Sequence, residues 1–186
     1  MKRKISPKAI VLVSLFTAMV TVLTLFVKVP VNTGYVHIGD GVIYLAACLF
    51  PTPLAIFCGA LGGCLADILG GYAIYAIPTF IIKGLLVLPL SNKEKKIITK
   101  RNLAVLALCA LITIAGYFIA DAIVIAYTSS GSVNTFKETI FTPVPWTSAL
   151  AGLLGNLIQA IGSSVVFIAL GTALDKIKIK KTLEDI

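Results

Sequence analysis

The stretch from Leu103 to Tyr127 reads LAVLALCALITIAGYFIADAIVIAY, 25 residues with a single charge, Asp121. A helix that crosses a bilayer needs about 20 mostly apolar residues, so this stretch is long enough to span. The rest of the chain repeats the pattern. Apolar segments run over about 9–29, 38–50, 54–69, 73–90, 103–127 and 146–174, separated by stretches rich in Pro, Gly, Ser, Thr or charge. Of 186 residues, 58% are hydrophobic and 13% charged, about half the ~25% charge of a soluble domain. That excludes an ordinary soluble domain, a disordered chain and a disulfide scaffold. The expected fold is an all-α integral membrane protein, one domain over 1–186 with six transmembrane helices. Its second segment is short, because 13 residues rise only about 20 Å against a hydrocarbon core of about 30 Å. Segments two and three therefore read either as a tilted pair or as a re-entrant hairpin buried against protein. No internal repeat supports an inverted-repeat transporter.

The net charge of +8 would point to nucleic acid on a soluble protein, but here its placement decides otherwise. Lys2, Arg3, Lys4 and Lys8 open the chain. Lys93, Lys95, Lys96, Lys100 and Arg101 fill the connection 91–102, and Lys176, Lys178, Lys180 and Lys181 close the chain. With six spans, 13 of the 16 basic residues fall on one side. The positive-inside rule makes that side cytoplasmic, so both termini and the basic loop 91–102 are expected inside the cell. Apolar runs separate the three clusters, which excludes a nucleic-acid surface. Residues 9–27 are longer than a secretory signal core and no clean cleavage site follows, so they read as a first span. Cys48, Cys58, Cys64 and Cys109 match no metal or disulfide spacing and read as buried apolar thiols. No metal or cofactor is expected.

A charge inside a bilayer costs several kcal/mol unless it is paired or hydrated, so each one is a candidate for function. Asp121 lies about 10 Å below the outer end of the fifth segment and Lys83 about 8–15 Å below the same surface, a depth at which they can meet. The pair either locks two helices together or lines a polar pocket. Gly152, Asn156, Gln159 and Ser163 share one helical face. The two amides offer donors and acceptors without net charge, which suits a neutral heterocycle; interhelical bonding is the other reading. Tyr117, one turn from Asp121, either stacks on a ligand ring or packs. Asp67 opposes the dipole of its helix end and calls for a partner, Lys83 or backbone donors of a loop. The outer connection Gly34-Tyr35-Val36-His37-Ile38-Gly39-Asp40-Gly41 reads as a lid over a ligand entering from outside, with Asp40 either an N-cap or part of the site. His37, the only histidine, lacks the neighbours for metal ligation. Trp146 reads as an interfacial anchor. Ser14 and Ala18 are small residues four apart, a spacing that lets a second helix dock.

Taken together, these stretches resemble the substrate-binding S component of an energy-coupling factor (ECF) transporter, of the riboflavin-transporter-like group. The resemblance rests on the 34–41 connection, on Leu65-Ala-Asp67-Ile-Leu-Gly-Gly-Tyr72 and on Phe80-Ile-Ile-Lys83-Gly84-Leu. Gly116-Tyr-Phe-Ile-Ala-Asp121 and Gly155-Asn156-Leu-Ile-Gln159 extend it over nearly the whole chain. It implies a six-helix vitamin binder in a prokaryotic plasma membrane that partners an ECF transmembrane coupling protein and two ATPase subunits. It further implies that the loaded subunit topples in the membrane and releases its vitamin inside. The small-residue motif of the first helix docks the coupling protein in that family, and Ser14 and Ala18 stand in its place here. The family commonly carries Glu where Asp121 stands. The chain itself shows no G-x-x-x-x-G-K-[ST] ATP site.

These readings converge on a substrate-binding subunit that captures pyridoxine, a hydroxymethylpyrimidine or thiamine-like compound, or riboflavin. Asn156, Gln159, Asp121, Tyr117, Lys83, His37 and Asp40 are the expected contacts, with Gly34, Tyr35 and His37 in the gate. The open alternative is a stand-alone secondary transporter with Asp121 or Asp67 as proton carrier. An intramembrane enzyme is not expected, since lone His37 lies in the outer loop with no G-x-S-x-G nearby and no H-E-x-x-H motif is present.

Overall fold

A computed structural model describes residues 6–31, 34–131 and 133–183; the basic residues Lys2, Arg3 and Lys4 lie outside these. Ser6 caps the first helix, α1 (Pro7–Phe26), by accepting a hydrogen bond from the Ala9 amide at 3.1 Å, with Pro7 preset at the first helical position. The chain then leaves the helix earlier than the expected 29. Pro30 pushes Val29 out of the helical region, and the β-branched valines favour strand. The result is an antiparallel hairpin, β1 (Lys28–Val31) and β2 (Gly34–His37), with Lys28 opposite His37 and Val31 opposite Gly34. This hairpin is an exception to the expected all-α fold, in the outer connection that the sequence reads as a lid.

Helix α2 (Asp40–Leu49) is fully buried along all ten residues, and α3 (Thr52–Leu69) follows at Pro51. A single 3₁₀ turn, Ala73–Tyr75, leads into α4 (Ala76–Leu85). That helix stops short of the expected 90, because the Pro89 ring would clash with the Leu85 carbonyl four residues back. Helices α5 (Lys100–Ala104) and α6 (Leu106–Ser130) run almost continuously, ending at Gly131 with φ +65°. The connection 128–145 holds a helix the sequence reading left out, α7 (Val133–Ile140). Then α8 (Pro143–Ala149) passes through a 3₁₀ turn into α9 (Leu153–Lys176), and α10 (Ile179–Thr182) closes the described chain.

Among the described residues, four helical stretches are long and apolar enough to cross a membrane: Pro7–Phe26, Thr52–Leu69, Lys100–Ser130 and Pro143–Lys176. Asp40–Leu49 and Ala73–Leu85 are apolar but shorter. Large apolar side chains such as Leu15, Phe57, Leu111 and Ile161 point outward, as helices solvated by lipid require. Cys48, Cys58 and Cys109 are buried thiols, and Cys64 is half-buried.

One end of the bundle is stitched by polar contacts to the backbone. Lys8 Nζ donates to the Thr182 carbonyl at 2.9 Å, so the two ends of the described chain meet there. Asp175 accepts from the Ile97 and Ile98 amides at 2.8 and 2.9 Å, and Lys180 Nζ donates to the Asn92 and Glu94 carbonyls. The basic loop 91–102 is thus clamped against the C-terminal segment. The hairpin and the 70–75 turn lie at the opposite end.

Two close approaches set the interior. A Cβ on Gly41 would lie 2.8 Å from the Ser163 carbonyl and 3.0 Å from Val166 Cβ, so only glycine lets α2 sit this near α9. A Cβ on Gly63 would lie 2.8 Å from Lys83 Cγ, so glycine there makes room for the lysine stem. Gly41→Ala is expected to lose about 1–3 kcal/mol of stability by overpacking, measured by thermal unfolding in detergent.

Candidate functional site

The site grows from the N-terminal residue of α2. Asp40 and Lys83 form an ion pair at 2.7 Å with both side chains essentially inaccessible. Lys83 Nζ also donates to Asp40 Oδ2 at 3.0 Å, and Gln159 Nε2 donates to the same oxygen at 2.9 Å. One carboxylate therefore ties α2, α4 and α9 together. A lone charge buried at this depth would be prohibitive, and pairing with added hydrogen bonds is what makes it tolerable.

Above this pair lies a small, partly open pocket of about 50 Å³. Its walls are aromatic, and several of its hydroxyls are engaged. Tyr35 Oη donates to Asp67 Oδ1 at 2.7 Å, which ties β2 to the end of α3. Tyr75 Oη donates to Asp121 Oδ1 at 2.9 Å, tying the 3₁₀ turn to α6. The Tyr35 and Tyr72 rings meet edge to face at 4.9 Å, and Lys28 Nζ sits 4.5 Å from the centre of the Tyr35 ring. Thr79 Oγ1 and Tyr117 Oη share a hydrogen bond at 3.2 Å, and Lys83 Nζ lies 5.0 Å from the Tyr117 ring centre. Asn156, Gln159 and Gly152 complete the wall along α9 and the turn before it.

Acceptors dominate this lining. The one buried lysine is engaged by Asp40, while Asp67 and Asp121 each hold a tyrosine hydroxyl. Asp67 Oδ2 is buried and has no hydrogen-bond partner among the described residues. Unmet acceptors in a low-dielectric site are costly, so the arrangement favours a ligand that brings N–H or O–H donors. Among the described residues, no three His, Cys, Asp or Glu side chains converge to hold a metal ion.

Asn156, Gln159, Asp121, Tyr117, His37 and Tyr35 all line this pocket. Asp40 and Lys83 lie beneath it, inaccessible. Gly34 stands at the hairpin turn, paired with Val31. Three expected pairings are corrected. Lys83 meets neither Asp121 nor Asp67 but Asp40. Gly39, not Asp40, caps α2, because the Asp40 carboxylate is turned inward to Lys83. Asp67 takes its donor from Tyr35. Thr24, Tyr72, Tyr75 and Thr79 also line the pocket and were missed. Tyr72, Tyr75 and Thr79 stand three and four residues apart, one helical face, a signal that was present. Ser14 and Ala18 lie elsewhere, on an exposed groove between α1 and α3 with Phe57, Leu61 and Leu65. Trp146 packs on Phe118 and donates its indole N–H to the Ile140 carbonyl at 2.8 Å.

Comparison with known proteins bears on this geometry. A protein of Pyrococcus woesei, described as an uncharacterized protein in gap 3'region, is 42% identical over 67 residues, 35% of this chain and 45% of that protein. The chain thus covers less than half of that relative's length. The family model for the ECF-type riboflavin transporter S component matches residues 4–176. The match covers all the pocket residues, and the family is one of transport subunits rather than enzymes: the chain belongs to the ECF-type riboflavin transporter S component family.

Proposed function

We propose that the protein captures a riboflavin-class vitamin from outside the cell and hands it to an ATP-driven ECF module. The observation that carries this reading is the pocket itself: tyrosine walls for a planar ring, with unmet carboxylate and amide acceptors for the donors of a polyhydroxylated chain. Riboflavin brings both, and it is the vitamin in the family's description.

The topology follows from length and charge. Helix α2 rises about 15 Å over its ten residues, half of the ~30 Å core; buried along its whole length, it makes its short pass against protein rather than lipid. With α1, α3, α4, α6 and α9 this gives six passes. The basic loop 91–102 and both termini then face the cytoplasm and the pocket opens outward.

Tyr35 and the hairpin form the gate, latched to Asp67. Tyr35→Phe is expected to release riboflavin about fivefold faster, measured by stopped-flow flavin fluorescence. The exposed groove holding Ser14 and Ala18 docks the ECF coupling protein, which carries two ATPase subunits. Proteoliposomes test the assignment. Uptake should need ATP and the partner subunits, and uptake by this protein alone on a proton gradient would overturn it.

A further inference from the structure

The pair beneath the pocket touches no pocket space, yet it governs a residue that does. Asp40 and Lys83 are inaccessible, while Gln159 lines the pocket. An ionised carboxylate only accepts hydrogen bonds. The Gln159 amide must therefore turn its NH₂ toward Asp40, as the 2.9 Å contact has it. The amide is planar, so its carbonyl Oε1 is directed away from Asp40, and no hydrogen bond among the described residues uses it.

Lys83 makes this orientation obligatory. An isolated Asp40 at this depth would take up a proton, become a donor as well as an acceptor, and let the amide turn over. Paired with an ammonium at 2.7 Å, it stays a carboxylate.

His37 is fixed by the same kind of logic. The Gly39 amide donates to His37 Nδ1 at 3.1 Å, so that nitrogen carries a lone pair and the ring proton sits on Nε2. Ser163 Oγ donates to the His37 carbonyl at 3.4 Å and ties β2 to α9 one turn beyond Gln159. Gln159 and His37, both in the pocket lining, thus have fixed roles, one carbonyl left to accept and one Nε2–H left to donate.

We infer that Asp40 and Lys83 are positioning residues for substrate specificity. They hold Gln159 with its carbonyl toward the ligand, so that Gln159 and the Nε2–H of His37 read a ring N–H beside a ring carbonyl. That is the pyrimidinedione edge of a flavin, and the inference rests on the flavin reading above.

Two experiments on the full chain in detergent test it. Gln159 is the only glutamine and His37 the only histidine, so side-chain ¹⁵N labelling reads each alone in the unaltered protein. The expected result is amide protons that exchange slowly with water and a histidine protonated on Nε2. Freely exchanging amide protons, or a proton on Nδ1, would overturn the inference.

The second experiment titrates riboflavin and N3-methylriboflavin by flavin fluorescence. The unaltered protein should prefer riboflavin by about tenfold or more, because methylation leaves the Gln159 carbonyl unmatched. Gln159→Met, which leaves the ion pair in place, should bring that preference close to one. The double variant Asp40→Asn/Lys83→Met should do the same, and adding Gln159→Met to it should change nothing further, as expected of residues acting through one another. A preference retained in Gln159→Met, or in a double variant that still binds riboflavin, would overturn the inference while leaving the flavin assignment standing. Failure of the unaltered protein to bind either flavin would overturn both.

Discussion

Lys83→Met should lower the stability of the protein by about 3–5 kcal/mol, the cost of leaving a buried carboxylate without its partner. The methionine keeps the length of the lysine stem that fits beside Gly63, so the loss reports the charge rather than a cavity. Asp40 is then left with Gln159 as its one remaining side-chain donor. The double variant Asp40→Asn/Lys83→Met removes both charges and should recover most of the loss, since a buried pair is worth far less than either half alone costs. Thermal unfolding followed by Trp146, the only tryptophan, reads both. A double variant as unstable as Lys83→Met would show that packing, not pairing, holds α2, α4 and α9 together.

The second large effect falls on binding. Asn156→Ala/Gln159→Ala removes two amides from the pocket wall and should weaken riboflavin about 10–100-fold, one neutral hydrogen bond each. Stability should fall by about 1–3 kcal/mol, because Asp40 loses its Gln159 hydrogen bond while Lys83 keeps the carboxylate paired. Affinity measured beside thermal unfolding separates the two. An unchanged affinity would move the ligand away from α9.

Much of this was legible in the sequence, and the failures have physical causes. The long apolar helices stand out because lipid demands uninterrupted apolar length. Their faces were legible too: Gly152, Asn156 and Gln159 line the pocket as their spacing of four and three predicts. Helix depth was legible, which placed Lys83, Asp67 and Asp121 in one layer. Partner choice was not. Asp40, Asp67 and Asp121 all lie at depths Lys83 could reach, and what selects Asp40 is how the helices pack, α2 close on α9 at Gly41 and α3 close on the Lys83 stem at Gly63. The hairpin was missed for another reason. Lys28-Val29-Pro30-Val31 continues the apolar run of α1, and only the β-branched alternation and the proline distinguish a strand from a helix end.

The central claim is that the pocket beneath the 28–37 hairpin binds a flavin. Titrating the purified protein with riboflavin and following the quenching of flavin fluorescence tests it most directly. The account predicts saturable, single-site quenching, abolished or strongly weakened in Asn156→Ala/Gln159→Ala. A folded protein that leaves riboflavin fluorescence unchanged at all concentrations would contradict it.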